Sequence, residues 1–263
     1  MSESNPKTEV TSEKPKFPTE FISLPSKGLL YPKENSLSSG KIEMKYMTAK
    51  EEDILTNQNY IKQGTVIDKL LQALIVSPIN YDDLIIGDKN AIMLAARVLG
   101  YGAEYTFDWN GERISVDLST LEEKEFNESL FTPHENVFSY TLPHSKNVIT
   151  FKLLTHGDER KIDAEVKGLQ KINKAASYEL STRLKHMILS VNGDSERKTV
   201  REFVDNYLLA RDSQSFREYL RSITPDIDMT ISFETSEGLQ EGVRLPMNTS
   251  FFWPDTGVSD KSF

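Results

Sequence analysis

The chain has 263 residues, of which 38% are hydrophobic and 27% are charged, so it is long enough for two domains with a hydrophobic core. Its net charge of −9 disfavours a general role in nucleic-acid binding, because affinity for phosphates requires a basic surface. The chain has no cysteine, which excludes disulfides, thiolate metal ligands and cysteine nucleophiles.

Two further classes are disfavoured by the distribution of apolar residues. No apolar run approaches the ~20 residues of a transmembrane helix, so we expect no membrane span. The N-terminus MSESNPKTEVTSEKPKFP lacks the apolar centre of a secretory signal, so we expect none there.

The first 40 residues are predicted to lie outside the regular fold. Residues 1–16 are rich in Ser, Glu, Lys and Pro, which is typical of a disordered tail. Residues 17–40 include FISLPSKGLLYP, in which Pro25, Gly28 and Pro32 exclude a helix. We therefore predict an extended arm that can be removed without loss of the fold.

Residues 41–121 are predicted to form an α+β unit. In KIEMKYM the apolar residues alternate with polar ones, which predicts a strand. Thr48, followed by Glu51, has the spacing of a capping box and predicts the start of a helix. Residues 64–76, GTVIDKLLQALIV, place apolar side chains at helical spacing and predict a second helix.

The unit is predicted to end with a third helix and a β-hairpin. Asp88 is expected to cap the helix KNAIMLAARVLGYG, with Gly100 and Gly102 as its stop signals. Asn110-Gly111 then separates two alternating segments, AEYTFDW and ERISVDL. Asn-Gly in this context is a strong signal for a two-residue hairpin turn.

The second half of the chain repeats the landmarks of the first, which indicates an internal duplication. Thr155 corresponds to Thr48 at an offset of 155 − 48 = 107, and Asp212 corresponds to Asp88 at 212 − 88 = 124. Phe233 in a second predicted hairpin corresponds to Phe107. Order, lengths and chemistry agree, although chance similarity between two α+β segments is the alternative.

These correspondences give the remaining boundaries. Residues 147–250 are predicted to be the second α+β unit, with STRLKHMILSV as its second helix and an additional helix near 200–209. Residues 122–146 are predicted to be a linker, and residues 251–263 an aromatic segment with a polar tail. We predict an α+β fold in which each unit packs a small antiparallel sheet on helices, and the two units could be related by a pseudo-twofold axis.

The sequence contains no recognisable catalytic constellation. The histidines lack metal-motif spacing, and no phosphate-binding loop or nucleophile elbow occurs. The acidic clusters at 51–53, 82–83 and 121–128 are predicted to be solvated, the alternative being a Mg²⁺-dependent hydrolase or nucleic-acid enzyme that uses Asp82 and Asp83. We predict a non-enzymatic protein without catalytic, cofactor-binding or metal-binding residues.

Two short apolar segments, one in the arm and one near the C-terminus, are candidate partner-binding elements. Aromatic side chains on a backbone restricted by proline lose little entropy on binding. The alternative is that each segment completes the core of its own unit. The candidate partner-binding residues are Phe21, Leu24, Pro25, Leu29, Leu30, Tyr31, Phe251, Phe252 and Trp253.

Four segments together resemble one known family. LPSKGLLYP, KYMTAKEEDILTN, GDKNAIMLAARVLGYGAEY and SFFWP are similar to the T4-like bacteriophage baseplate protein family, whose members are baseplate hub subunits or hub assembly proteins. The resemblance covers Leu24 to Pro254 and is most specific over 48–53 and 87–105. Many members carry cysteine pairs in the hairpins, as in a zinc knuckle. This chain has none, so the resemblance implies no zinc, and aromatic and β-branched packing is expected to hold the hairpins instead.

The resemblance implies an assembly or structural role without catalysis or cofactor. The implied partners are other phage baseplate and tail proteins, with no direct nucleic-acid contact, and a homo-oligomer is also compatible. The implied location is the host cytoplasm during assembly or the virion baseplate. An assembly chaperone absent from the mature virion is an alternative of the same kind.

Overall fold

The computed structural model describes residues 18–173, 177–246 and 249–252. It confirms the α+β class, since small antiparallel sheets pack on helices throughout. In the described part of the chain the sheets are β1–β2, β3–β4, β5–β6–β7 and β8–β9. No helix in this part is long and apolar enough to cross a membrane. Residues 1–16 and Trp253, for which a disordered tail and a partner contact were predicted, lie outside the described residues.

The first unit begins with a hairpin and ends with a hairpin. Its strands and helices are β1 (Thr19–Ser23), β2 (Lys41–Lys45), α1 (Ala49–Leu55), α2 (Gln58–Gln63), α3 (Val66–Leu74), α4 (Ile86–Tyr101), β3 (Glu104–Trp109) and β4 (Glu112–Asp117). The turn between β3 and β4 has φ of 50° at Asn110 and 86° at Gly111. Two consecutive positive φ angles are those of a type I′ turn, as the Asn-Gly pair predicts.

The second unit repeats this order with two additions, a strand and a short helix, and with one helix where the first unit has α1 and α2. Its elements are β5 (Phe138–Thr141), β6 (Val148–Phe151), α5 (His156–Ile172), α6 (Glu179–Met187), β7 (Ile188–Val191), α7 (Arg197–Glu202), α8 (Ala210–Ile223), β8 (Thr230–Thr235) and β9 (Gly238–Arg244). The helix predicted near 200–209 is present as α7, which begins earlier and continues as a π-helical turn over Phe203–Tyr207.

An ion pair between a half-buried lysine and a buried acid occurs at the same place in both units. Lys45 lies 2.8 Å from the Glu51 carboxylate, and Lys152 lies 2.6 Å from that of Asp158. Both acids also accept a hydrogen bond from the backbone N–H of the preceding capping residue. The two pairs share the offset of 107, since 152 − 45 and 158 − 51 both equal 107. Shared chemistry at one offset supports the duplication.

The predicted arm is part of the first unit, which corrects the boundary at residue 40. β1 pairs with β2 in antiparallel register, with Ile22 opposite Ile42. The segment that follows folds back, because Gly28 with φ of 79° lies against the backbone of Ser38. Leu24 and Tyr31 are buried, so this segment is too apolar and too well paired to be a removable arm.

The predicted linker also contains part of a unit. β5 lies within residues 122–146 and pairs with β6, as β1 pairs with β2. In both units a Leu-Pro sequence follows the outer strand, and Leu24 and Leu142 are both fully buried. The second unit therefore begins at Phe138, nine residues before the predicted boundary at 147.

Two helix predictions were wrong in detail. Asp88 does not cap α4, which begins at Ile86; the carboxylate lies in the first turn and is fully buried. The predicted second helix of the second unit stops at Met187, and Ile188–Val191 form β7 beside β6. A short apolar run is compatible with either a helix end or a buried strand. Here the run forms a strand because it pairs with the edge of β6.

The two units share one hydrophobic core over the described residues. Ile85, which precedes α4, forms a β-bridge with Thr155, which precedes α5. The rings of Phe107 and Phe233, which are equivalent in the duplication, pack edge to face with centroids 5.5 Å apart. Aromatic packing thus joins the two hairpins to each other. The pseudo-twofold axis stays a prediction.

Candidate partner-binding surface

Most described members of the candidate partner-binding set pack against their own chain. Leu24, Leu30 and Tyr31 are at most 2% exposed, Pro25 is buried, and Leu29 is half-buried. Their environment is organised by Asp88, which accepts hydrogen bonds from the Ser26 N–H at 2.9 Å, the Ser26 hydroxyl at 2.6 Å and the Tyr31 hydroxyl at 2.5 Å. The segment thus completes the core of the first unit, which is the alternative raised from the sequence.

The second unit contains the counterpart of this arrangement. Asp212 accepts hydrogen bonds from the backbone N–H groups of His144 at 2.8 Å and Ser145 at 2.9 Å. Burial raises the pKa of Asp88 above its usual value despite its hydrogen bonds. For Asp212 burial acts in the same direction, but hydrogen bonds from Ser145 and His144 hold the pKa below its usual value.

The aromatic segment near the C-terminus also packs inward. Phe251 and Phe252 are at most 1% exposed. The Phe251 ring lies 5.1 Å from that of Tyr105 in β3, in an edge-to-face arrangement. Of the candidate residues that the structure describes, Phe21 is the exposed one, with 68% of its surface accessible.

Phe21 lies at the centre of β1, which is the outer strand of its sheet. The inner side of β2 is occupied, since Met44 bridges to Ile75 and the Val76 N–H donates to the carbonyl of Glu43. The order is therefore β1, β2, then the 75–77 segment. β1 is left with one open edge among the described residues.

The ladder of β1 and β2 fixes which backbone groups face that edge. The Leu24 N–H donates to the Gly40 carbonyl and the Tyr46 N–H to the Pro18 carbonyl, so the even-numbered residues of β1 are the hydrogen-bonded ones. Hydrogen-bonded and non-hydrogen-bonded residues alternate along an antiparallel strand. The N–H and C=O groups of Thr19, Phe21 and Ser23 therefore point away from β2. The open edge thus offers a row of backbone partners around an exposed aromatic ring.

The second unit lacks an exposed aromatic at the equivalent place. β5 is likewise the outer strand of β5–β6–β7, and Ser139 stands where β1 has Phe21. Tyr140 stacks on Tyr219 at 4.5 Å, and Phe138 is buried. The duplicated scaffold therefore carries an apolar anchor on its first edge but not on its second.

The acidic clusters are largely engaged within the chain. Asp82 pairs with Arg160 through two contacts of 2.8 and 2.9 Å, and Asp83 accepts hydrogen bonds from Asn35 and Asn80. Glu51 was predicted to be solvated but is 1% exposed, because it anchors the start of α1. No group of three or more His, Asp or Glu that could hold a metal occurs in the described ranges.

A charged cluster at the junction of the units was not predicted from the sequence. His156, whose side chain is 5% exposed, has Nδ1 3.2 Å from the Lys89 amine, which also pairs with Asp68 at 2.6 Å. Burial and the charge of Lys89 lower the pKa of His156. The cluster combines Lys89 and Asp68 of the first unit with His156 of the second, so spacing along the sequence gives no signal for it.

Comparisons with protein-family models, with curated proteins and with solved structures find no match to this chain.

Proposed function

We propose that this chain is a component or assembly factor of the baseplate hub of a T4-like contractile-tailed phage, and that it acts by protein–protein contacts without catalysis. The resemblance of the segments between Leu24 and Pro254 supports the class of protein. The observation that carries the mode of action is Phe21, 68% exposed at the centre of an open sheet edge.

The open edge suits the addition of a strand from a partner. A guest strand paired with β1 would satisfy the outward backbone groups of Thr19, Phe21 and Ser23, and its side chains would cover the Phe21 ring. The backbone bonds supply affinity that depends little on sequence, and the ring supplies an apolar anchor of the kind found at interface hot spots.

The proposed partners are other baseplate and tail proteins, met in the host cytoplasm during assembly or retained in the virion baseplate. Direct nucleic-acid binding forms no part of the proposal. A second copy of this chain could occupy the same edge, and a homo-oligomer would then form in place of a complex with another subunit.

Co-expression with the other tail proteins of the same phage, followed by affinity capture and mass spectrometry, tests the proposal. We expect one or a few baseplate subunits to be captured at fixed stoichiometry. Capture of no tail protein, with the folded chain recovered as a monomer, would contradict it. Recovery of the chain with itself alone would replace the hub partner by a homo-oligomer.

Mass spectrometry of purified particles separates the two assembly roles. Detection of the chain at constant stoichiometry in mature particles identifies a structural component. Its presence in assembly intermediates combined with its absence from mature particles identifies a transient chaperone.

A further inference from the structure

The two terminal hairpins of the units enclose a groove between β4 and β8. The groove has a volume of about 660 Å³. At one end the Ser236 N–H donates to the Glu112 carboxylate at 2.9 Å, and at the other the Asp228 N–H donates to the Glu122 carbonyl at 2.8 Å. The hairpins are thus tied to each other at both ends of the groove.

The strand β4 turns unpaired backbone groups towards this groove. The Leu118 N–H donates to the Ala103 carbonyl, which makes the even-numbered residues of β4 the ones bonded to β3. Because antiparallel pairs alternate, Ser115 and Asp117 direct their N–H and C=O groups out of the hairpin. Both residues line the groove.

The strand β8 does the same from the opposite side. Its register pairs Thr235 with Gly238 across a two-residue turn, and the Leu245 N–H donates to the Met229 carbonyl at the far end. Ser232 and Glu234 therefore direct their backbone groups away from β9, and both line the groove. Two open strand edges thus face each other across one cavity.

The dimensions and the floor of the groove fit an extended polypeptide. β4 has six residues, a length of roughly 20 Å at about 3.3 Å per residue. The floor is apolar, since Ile114, Ile231 and Phe233 are buried beneath it. A guest strand would pair with both hairpins at once and join them into one continuous sheet.

The charged residues at the rim of the groove favour a basic peptide. Its ionisable lining residues are four acids and one base: Asp117, Glu122, Asp228, Glu234 and Arg113. We propose that the groove binds an extended segment of a partner protein that carries lysine or arginine on alternate positions and pairs with β4 and β8 as an added strand. This surface is separate from the edge of β1, and the proposal holds whether or not the chain belongs to a phage baseplate.

Synthetic peptides test the proposal directly. The probe is a peptide of about seven residues that alternates lysine with valine, and the control replaces each lysine by glutamate. Binding is measured by fluorescence anisotropy, and the site is located by amide shifts in ¹H–¹⁵N NMR spectra of the full chain. We expect the lysine peptide to bind at least about tenfold more tightly than the glutamate peptide and to shift the amides of Ser115 and Ser232.

Two kinds of variant locate the binding. Ser115→Pro with Ser232→Pro removes outward N–H groups without touching the hairpin bonds, and we expect at least about a tenfold loss of affinity. Thr106→Pro is the matched control, because Thr106 lies opposite Ser115 and its N–H faces the other edge of the same hairpin. Its affinity should stay within about twofold of the unmodified chain.

The charge of the rim is tested by conservative variants that leave the backbone alone. Glu122→Gln with Glu234→Gln should weaken the lysine peptide by at least about threefold, whereas Glu202→Gln on α7 should not. The proposal is overturned if the lysine peptide gives no amide shifts at β4 and β8. It is equally overturned if the proline pair, folded as judged by its NMR spectrum, binds as well as the control.

Discussion

Replacement of Asp88 by alanine removes the group that ties the Leu24–Tyr31 segment to α4. The carboxylate accepts hydrogen bonds from the Ser26 N–H, the Ser26 hydroxyl and the Tyr31 hydroxyl, and all three partners are buried. The Tyr31 oxygen in turn accepts a bond from the Ile85 N–H at 3.1 Å. Truncation therefore leaves three donors without an acceptor in a region that water does not reach.

The magnitude follows from these contacts. A buried polar group left without its partner costs about 1–3 kcal/mol, so three donors set an upper range of roughly 3–9 kcal/mol. Two effects reduce this sum: the hydroxyls can reorient, and removal of Asp88 also removes the desolvation cost of a buried carboxylate, which is the cost that raises its pKa. We expect a loss of about 3–4 kcal/mol in the free energy of unfolding, a large part of the ~5–15 kcal/mol typical of a folded protein.

Urea unfolding followed by circular dichroism measures this loss, and amide exchange shows where it acts. Protection should fall first at Ser26 and Tyr31 in Asp88→Ala. The matched variant is Asp212→Ala, which frees only two backbone donors and should cost less, about 2 kcal/mol. An Asp88→Ala protein within about 0.5 kcal/mol of the unmodified chain would refute the role given to this carboxylate.

Two further predictions concern stability. Although burial disfavours their charge, hydrogen bonds from lysine and threonine lower the pKa of Glu51 and Asp158, so their stabilisation is complete above about pH 5 and is lost as the pH falls through the folded values. Thermal unfolding between neutral and acid pH should therefore show a weaker acid dependence in Glu51→Gln with Asp158→Asn, and an unchanged profile would contradict this. Gly87→Ala places a Cβ 1.8 Å from the Pro225 carbonyl oxygen, which should cost about 2–3 kcal/mol in urea unfolding. Gly168→Ala meets open space within α5 and should instead stabilise by up to about 1 kcal/mol; equal effects of the two glycine variants would show that the close approach is not tight.

The sequence correctly predicted the turns and helix starts whose conformation is determined by neighbouring residues. Asn110-Gly111 specifies its own turn, because both residues tolerate the positive φ that the turn requires. Thr48 and Thr155 each begin a helix with an acid three residues later, and both boxes form. The sequence also predicted the pairing of these landmarks, since a duplicated unit repeats its local signals.

The predicted domain boundaries were wrong where a segment packs against residues that are distant in sequence. β1 reads as an irregular, proline-containing arm, and only the register with β2, in which Phe21 faces Glu43, makes it a strand. The segment after it is fixed by Asp88, 62 residues further along the chain. The sequence pattern within one segment cannot predict such a contact, because the contact depends on residues of a segment that is distant in sequence.

The sequence included Phe21 among its candidate partner-binding residues but did not separate it from the candidates that the structure buries. Phe21 and Phe251 are both large, apolar and close to proline, so composition gives them the same prediction. Phe251 is buried because Tyr105, 251 − 105 = 146 residues away, covers it, whereas Phe21 stands on the outer face of an edge strand. Tertiary packing alone distinguishes the anchor from the core residue.

The affinity of Phe21→Ala for the tail protein captured by the unmodified chain tests the central claim most directly. An aromatic side chain buries about 150–250 Å² in an interface, and 68% of the residue is free to do so here. After the costs of association, we expect a loss of about 2 kcal/mol, or roughly thirtyfold in Kd, with the fold unchanged. Tyr207→Ala, which removes another exposed aromatic in the second unit, is the control and should bind as before. Equal affinities of Phe21→Ala and the unmodified chain would contradict the assignment of the β1 edge as the docking surface.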